Sequence, residues 1–186
     1  MLIQIIIGSI RAGRISPAVA GWAADVARRR TDGEVEIIDL AEWPLPLFAL
    51  AEAPRYGIYP LEVQRRWSET IERADAYIFV TPEYNHAYPA ALKNAIDYLD
   101  REWRRKPAAF IGIGNAFGAR AIEQLSLVLI ELGMAPLASG VRLSSIHQRI
   151  ANDGFIGNDD EERALEILLD NLAWWSRALT TARQEK

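Results

Sequence analysis

The chain is expected to fold as an α/β protein, a doubly wound three-layer sandwich around a five-stranded parallel sheet of order 2-1-3-4-5. Three observations predict it. Short apolar runs alternate five times with stretches whose apolar residues recur at helical spacing. The runs at 2–7, 76–81 and 107–113 are apolar at nearly every position, as strands covered on both faces are. The loops after the first, third and fourth runs are the polar ones, and a sheet of this order binds ligands outside the carboxyl ends of those strands.

Taken in order, residues 2–7 (LIQIII) are rich in β-branched side chains and too short for a typical helix. A loop, GSIRAGRISP at 8–17, leads to a helix carried by Val19, Trp22, Ala23 and Val26, with Ser16 as N-cap and Pro17 as first helical residue. Asp32-Gly33 makes a turn, and Val35, Ile37 and Ile38 give a second strand ending at Asp39-Leu40. A long connection, 41–60, is punctuated by proline yet rich in Trp, Phe and Tyr, which suits a wall over a binding site or a subunit contact as well as packing on its own core. A helix follows at 61–74 around Trp67, Ile71 and Ala74, then the third strand at 76–81 and the loop PEYNHAYP at 82–89. Pro89 opens a helix facing inward through Leu92, Ala95, Ile96 and Leu99. The fourth strand, 107–113, runs into GNAFG at 114–118. The next helix carries Ala121, Leu125, Val128 and Leu132 and is closed by Gly133 as C-cap. A fifth strand lies within 135–143, residues 144–158 read as polar and irregular, and Asp159 and Asp160 favour the start of a last helix that buries Leu165, Leu168, Leu172, Trp175 and Leu179.

Composition narrows the function. At 186 residues and 50% apolar, the chain is expected to form one globular domain over 1–186. A net charge of −4 without a basic run predicts neither a nucleic-acid nor a membrane-surface partner. There is no cysteine, hence no disulfide, thiolate metal site or cysteine nucleophile, and the two histidines stand in no metal-like spacing. The N-terminus enters a strand at once and no apolar run is long enough for a bilayer, so a cytoplasmic protein is expected.

The first loop is a near miss to a nucleotide-binding P-loop. GSIRAGRI fits G-x-x-x-x-G, but Arg14 stands where the lysine belongs and Ile15 where the metal-binding hydroxyl belongs. That serves a triphosphate poorly. It serves a terminal monophosphate well, because Arg11 and Arg14 offer forked charged donors, Ser9 and Ser16 offer hydroxyls, and the helix N-terminus attracts an anion. The plainer alternative is a solvated turn with surface arginines. The second loop suits a flat heteroaromatic ring, with stiff backbone amides for its edge and aromatic side chains beside it. Its residues have simpler readings too: core packing for Tyr84 and Tyr88, a turn position for Asn85, and a plain surface histidine for His86. Glu83, with no visible partner, reads as a turn residue or ring-edge contact. In the third loop Gly114 and Gly118 let backbone approach a ring closely, whereas G-x-G-x-x-x-G at 112–118 is one residue too long for the dinucleotide fingerprint. A phosphate site beside a ring site describes a mononucleotide. With no metal cluster, triad or cysteine in the sequence, flavin mononucleotide (FMN) fits best and would itself carry the chemistry, with no catalytic side chain expected.

GSIRAGR with its following Ser-Pro, and TPEYNHAYPAALKNAIDYL, closely resemble the NADPH-dependent FMN reductase family of flavodoxin-like proteins, which includes quinone, chromate and azo reductases. The order of elements matches over essentially the whole chain. The resemblance implies bound FMN, NADPH or NADH as co-substrate, and a homodimer or homotetramer with sites near the subunit contacts. Carried over, Ser9, Arg11, Arg14 and Ser16 would hold the phosphate. Pro82, Glu83, Tyr84 and Asn85 would line the flavin, and Gly114 and Asn115 would pass along the ring. One departure stands out. Many relatives carry Tyr-Gly-Gly followed by a further glycine and Arg-Ala in the third loop; Arg120-Ala121 agrees, but Asn115 and Phe117 are bulkier, which would narrow the ring pocket, change what reaches the flavin, or weaken FMN binding. The implied activity is hydride transfer from NAD(P)H through flavin to a small electron acceptor such as a quinone, azo compound or metal oxyanion. The alternative is a flavin-binding electron carrier or redox-responsive module without its own nicotinamide site.

Overall fold

The computed structural model describes residues 1–30, 33–151 and 154–185, the side chain of Ala151 excepted, so the Asp32 half of the expected Asp32-Gly33 turn lies outside the described residues. Five strands, β1 (Leu2–Ile7), β2 (Glu34–Asp39), β3 (Ala76–Pro82), β4 (Pro107–Ile113) and β5 (Ala135–Leu143), pair in parallel in the order β2-β1-β3-β4-β5. Side chains alternate along each strand and so supply two cores. On one face Ile3, Ile5, Ile7, Ile78, Val80 and Ile111 meet helices α1 (Ser16–Arg28) and α5 (Asp159–Gln184). On the other, Ile6, Tyr77, Phe79 and Phe110 meet α2 (Glu62–Glu72), α3 (Ala90–Asp97) and α4 (Ala119–Glu131). This is the flavodoxin-like arrangement. The buried polar exception in β1, Gln4, donates through its amide nitrogen to Glu36 and to the Thr70 carbonyl, while its Oε1 has no protein partner.

Several boundaries differ from the sequence reading. Ile15, not Ser16, takes the N-cap of α1: its packing against the core draws the helix one residue earlier, and Ser16 lies buried in the first turn. Pro89 caps α3 in an extended conformation instead of opening it. Helix α2 begins at Glu62 and stops at Glu72, inside the expected 61–74. Leu132 caps α4, and Gly133 follows at φ +70°, the left-handed position just past the helix. Residues 144–158 are more ordered than their polarity suggests. A 3-10 turn (Ile146–Arg149) leads into a short antiparallel pair, β6 (Ile150–Ala151) and β7 (Gly154–Phe155), pinned by the Phe155 ring edge-on to Trp22 at 5.3 Å; two-residue strands leave no periodicity to read. Helix α5 starts with a capping box between Asn158 and Glu161. It buries Leu165, Leu168, Leu169, Leu172 and Ala173, then Ser176, a stripe that bypasses Trp175, which is 39% exposed beside Trp174 at 59%. Leu179 is half-buried.

The 41–60 connection is anchored chiefly by α2 and α3. Trp43 packs on Trp67 at 4.8 Å and Phe48 edge-on to Tyr98 at 5.3 Å. Asn94 accepts from the Phe48 amide at 2.9 Å and donates to the Pro46 carbonyl at 2.8 Å. Leu47, by contrast, is 82% exposed, and Tyr56 and Ile58 are exposed with it. Among the described residues no helix is long and apolar enough to cross a membrane.

Candidate functional site

The three polar loops meet at the carboxyl ends of β1, β3 and β4. Gly8 donates its amide to Val80 at 2.9 Å, and the Ser9 and Tyr84 hydroxyls are hydrogen-bonded at 2.8 Å, which joins the first loop to the second. Glu83 donates its amide to Ile113 at 2.9 Å, and a Cβ on Gly114 would stand 3.3 Å from the Glu83 Cβ, which joins the second loop to the third. Gly118 needs to be glycine: its φ is +65°, and a Cβ there would lie 2.7 Å from the Ile113 nitrogen.

In the first loop Ser9 is fully buried, its hydroxyl shared between Tyr84 and the Arg11 amide. Arg11 is exposed and Arg14 half-buried. The Arg14 guanidinium donates to Asp39 at 2.5 Å, yet its Nε is buried with no partner. A buried, charged donor left open is costly unless a ligand or water meets it. Helix α1 beside it opens with no side-chain cap and no acidic residue in its first turn, so its free amides are undisguised. An unpaired guanidinium edge next to an uncapped helix N-terminus fits an anion of phosphate character. Asp39 went unnoticed in the sequence reading. The signal was available, since parallel pairing of β2 with β1 sets Asp39 beside Ile7, at the root of the first loop.

The second loop is a two-residue hairpin. Tyr84 and Ala87 exchange backbone hydrogen bonds of 2.8 and 3.0 Å around Asn85 and His86, whose φ values are +50° and +70°. Both central residues are left-handed, as a type I′ turn requires, a conformation Asn and His adopt more readily than most residues. Arg120 at the start of α4 holds the turn from outside. Its Nε donates to Glu83 at 2.6 Å, its Nη1 to the His86 Nε2 at 2.8 Å, and its own amide to Glu83 at 3.3 Å. Because an arginine only donates, the His86 Nε2 is the acceptor and the ring proton sits on Nδ1. Gln124, one turn further along α4, donates to the His86 carbonyl at 2.6 Å. The expectations of a partnerless Glu83 and a plain surface His86 are therefore corrected: both are bound to α4, an element distant in sequence. The Arg120 hydrogen bond holds the Glu83 carboxyl below the usual carboxylate range, so it is ionised at neutral pH and poorly suited to general-acid work. Pro82 and Tyr84 are half-buried and Asn85 is exposed. In the third loop Asn115 is exposed, with its carbonyl 3.5 Å from the Ser144 hydroxyl, and Phe117 is 51% exposed at φ +58°.

Fold and crevice together define a doubly wound protein with a mononucleotide-type site. Comparison with known proteins carries this further. The family model for NADPH-dependent FMN reductases matches residues 1–148, and the chain belongs to that family. An NAD(P)H-dependent FMN reductase of Schizosaccharomyces pombe is 37% identical over 145 residues, 76% of this chain and 72% of the relative. A 2-hydroxy-1,4-benzoquinone reductase of a Burkholderia species is 30% identical over 183 residues, 94% of this chain and 96% of the relative. Among solved structures, the flavoenzyme NAD(P)H:(acceptor) oxidoreductase from Paracoccus denitrificans superposes with a TM-score of 0.77 at 25% identity, covering 95% of this chain and 97% of that one. The protein is thus an FMN-dependent NAD(P)H oxidoreductase.

Proposed function

We propose that this chain, as one domain over 1–186, passes reducing equivalents from NAD(P)H to a small quinone, with azo compounds and metal oxyanions as further acceptors. The observation that carries the reading is the meeting of the three loops, tied by the Ser9–Tyr84 hydrogen bond, with the buried, unpartnered Arg14 Nε in the first of them. The quinone reductase among the relatives supports the choice of acceptor class. Bound FMN supplies the hydride chemistry; the protein's residues supply place and surroundings. Arg11, Arg14 and the first-turn amides of α1 hold the phosphate. Ser9 supports Tyr84 from behind, and Ser16 keeps the first turn packed. Pro82, Glu83, Tyr84 and Asn85 line one side of the ring, and Gly114 and Asn115 the other. The ionised Glu83 stays bound to Arg120 and takes no proton, so the hairpin keeps its shape through turnover. A flat quinone and a nicotinamide ring present similar faces, and one open crevice serves both in turn.

The exposed Leu47, Tyr56 and Ile58 support self-association of the chain as a homodimer or homotetramer. A cytoplasmic location accords with this chemistry. The test is anaerobic titration of the FMN-loaded protein with NADPH and with NADH, followed by steady-state turnover with benzoquinone, an azo dye and chromate. Bleaching of the flavin band and fastest turnover with the quinone are expected. Turnover with the dye or chromate but not the quinone would overturn the acceptor assignment. A bound flavin that dithionite bleaches and NAD(P)H does not would restore the carrier reading.

A further inference from the structure

Asp39 ends β2, outside the three loops, yet its carboxylate touches two parts of the molecule at once. One oxygen accepts from the Arg14 guanidinium at 2.5 Å; the other accepts from the Ala41 amide at 3.0 Å. Both side chains of the ion pair are largely buried, at 19% and 17% exposed. Ala41 sits in the 3-10 turn Leu40–Glu42, where the 41–60 connection leaves the sheet, and Asp39 is the cap of that turn. Arg14 is left with its Nε buried and unpaired.

We propose that Asp39 is a positioning residue: it holds the Arg14 guanidinium by one edge so that Nε remains for an incoming phosphate, and it couples that event to the root of the 41–60 connection. The flavin arm of this proposal rests on the FMN reading above. A free arginine side chain must give up much rotamer freedom to grip an anion. One already held by a carboxylate gives up less, and so binds more tightly for the same contacts. An anion on Nε in turn holds the guanidinium still, which keeps Asp39 aligned on the Ala41 amide. Occupancy of the first loop thereby orders the start of a segment whose Leu47 and Ile58 stand exposed.

The two possible roles of Asp39 predict opposite signs. As a bare negative charge near a phosphate, it weakens binding, and its removal tightens FMN. As a positioning residue, its removal loosens FMN. Asp39→Asn separates them, because the amide oxygen still accepts from Ala41 while the charge-assisted bond to Arg14 is lost. We expect FMN affinity to fall about tenfold, read by quenching of flavin fluorescence. Arg14→Lys, which keeps the charge but has neither Nε nor a planar fork, should fall by a similar factor. Hydrogen exchange at the Ala41 amide provides a readout without flavin. Millimolar inorganic phosphate should slow it several-fold in the wild type and not in Asp39→Asn. Near-UV circular dichroism checks that both variants are folded, and if Asp39→Asn fails there, Asp39→Ser, whose hydroxyl can still accept from Ala41 but which offers Arg14 no charge, decides through the same two readouts. Equal or tighter FMN binding by the folded variants overturns the proposal. Failure of the wild type to bind FMN would sink the cofactor reading instead, and the phosphate-exchange comparison would then decide the proposal by itself: protection lost in the variants supports it, protection unchanged overturns it.

Discussion

Removing the Arg120 side chain tests whether the second loop is held from α4. In Arg120→Ala the Glu83 carboxylate, 6% exposed, loses its charged donor, and His86 loses the bond to its ring nitrogen. Stranding a buried acceptor costs roughly 1–3 kcal/mol, and more when it is charged and fully desolvated. Arg120 is 41% exposed, and solvent screening brings the expected loss down to about 1 kcal/mol at neutral pH. For a chain of this size that is a fall in melting temperature of about 2–4 °C. The pH dependence is the sharper part. In the wild type the folded-state pKa of Glu83 lies below its unfolded value. Its stabilising contribution is therefore fully present above the ordinary carboxylate range and is lost as pH falls through the lowered folded value. The gap between wild type and Arg120→Ala should be full at neutral pH and close under acid. Urea unfolding of both proteins across that range measures it. A gap that stays constant with pH would show that Arg120 acts by packing alone and would refute the ionic account. The same variant should bind FMN several-fold more weakly, because the Asn85-His86 turn loses its support.

Lys106 is buried, donates to the Ile71 and Glu72 carbonyls, and is pushed down to about 8, chiefly by burial. The folded state gives up this proton before the unfolded state does, so stability should rise with pH from about 8 toward the ordinary lysine value. Lys106→Met should abolish that rise, by at most about 3 kcal/mol, as read in unfolding titrations at paired pH values. Gly118→Ala forces a Cβ against the Ile113 nitrogen at positive φ and should cost about 2 kcal/mol or more in denaturant unfolding, with FMN binding lost alongside. Tyr84→Phe removes the 2.8 Å bond to Ser9 and should destabilise by about 1 kcal/mol while leaving the hairpin bonds intact; flavin fluorescence titration should show a loss of affinity of less than tenfold.

The strands, their order and the three loops were legible because their causes are local or combinatorial. An apolar β-branched run declares a covered strand, and five alternations leave few topologies. Helix α5 shows where local reading stops. Helical spacing alone allows Trp175 in the core, since it lies three residues after Leu172, but the observed stripe runs from Leu172 and Ala173 to Ser176 and leaves both tryptophans outside. The contact geometry, set by α1 and β5, chose the smaller Ala173 and Ser176 instead. In the same way the short β6–β7 hairpin owes its existence to Phe155 meeting Trp22, a contact between segments far apart in sequence.

The two residues that the sequence reading missed at the site have one thing in common. Asp39 and Arg120 lie outside the polar stretches of the first and second loops that they serve, one at the end of β2 and the other at the start of α4. Asp39 carries no motif, and Arg120 belongs to the third loop's pattern, which does not announce its bond to Glu83. Each acts on a motif residue next to it only because the sheet runs 2-1-3-4: β2 beside β1 sets Asp39 against the Arg14 loop, and β4 beside β3 brings the turn leading into α4 under Glu83. Alternation implies a doubly wound parallel sheet, and the flavodoxin-like resemblance implies this order. In a parallel sheet, strand ends that are neighbours in the order align at the same edge, so a charged residue ending one strand is a candidate partner for a charged residue opening the next loop. Applied here, that rule brings Asp39 to the first loop; the choice of Arg14 over Arg11, and the reach of Arg120 from the first turn of α4 to Glu83, are set by the packing itself. Topology, once read, carries side-chain information that motif matching alone does not.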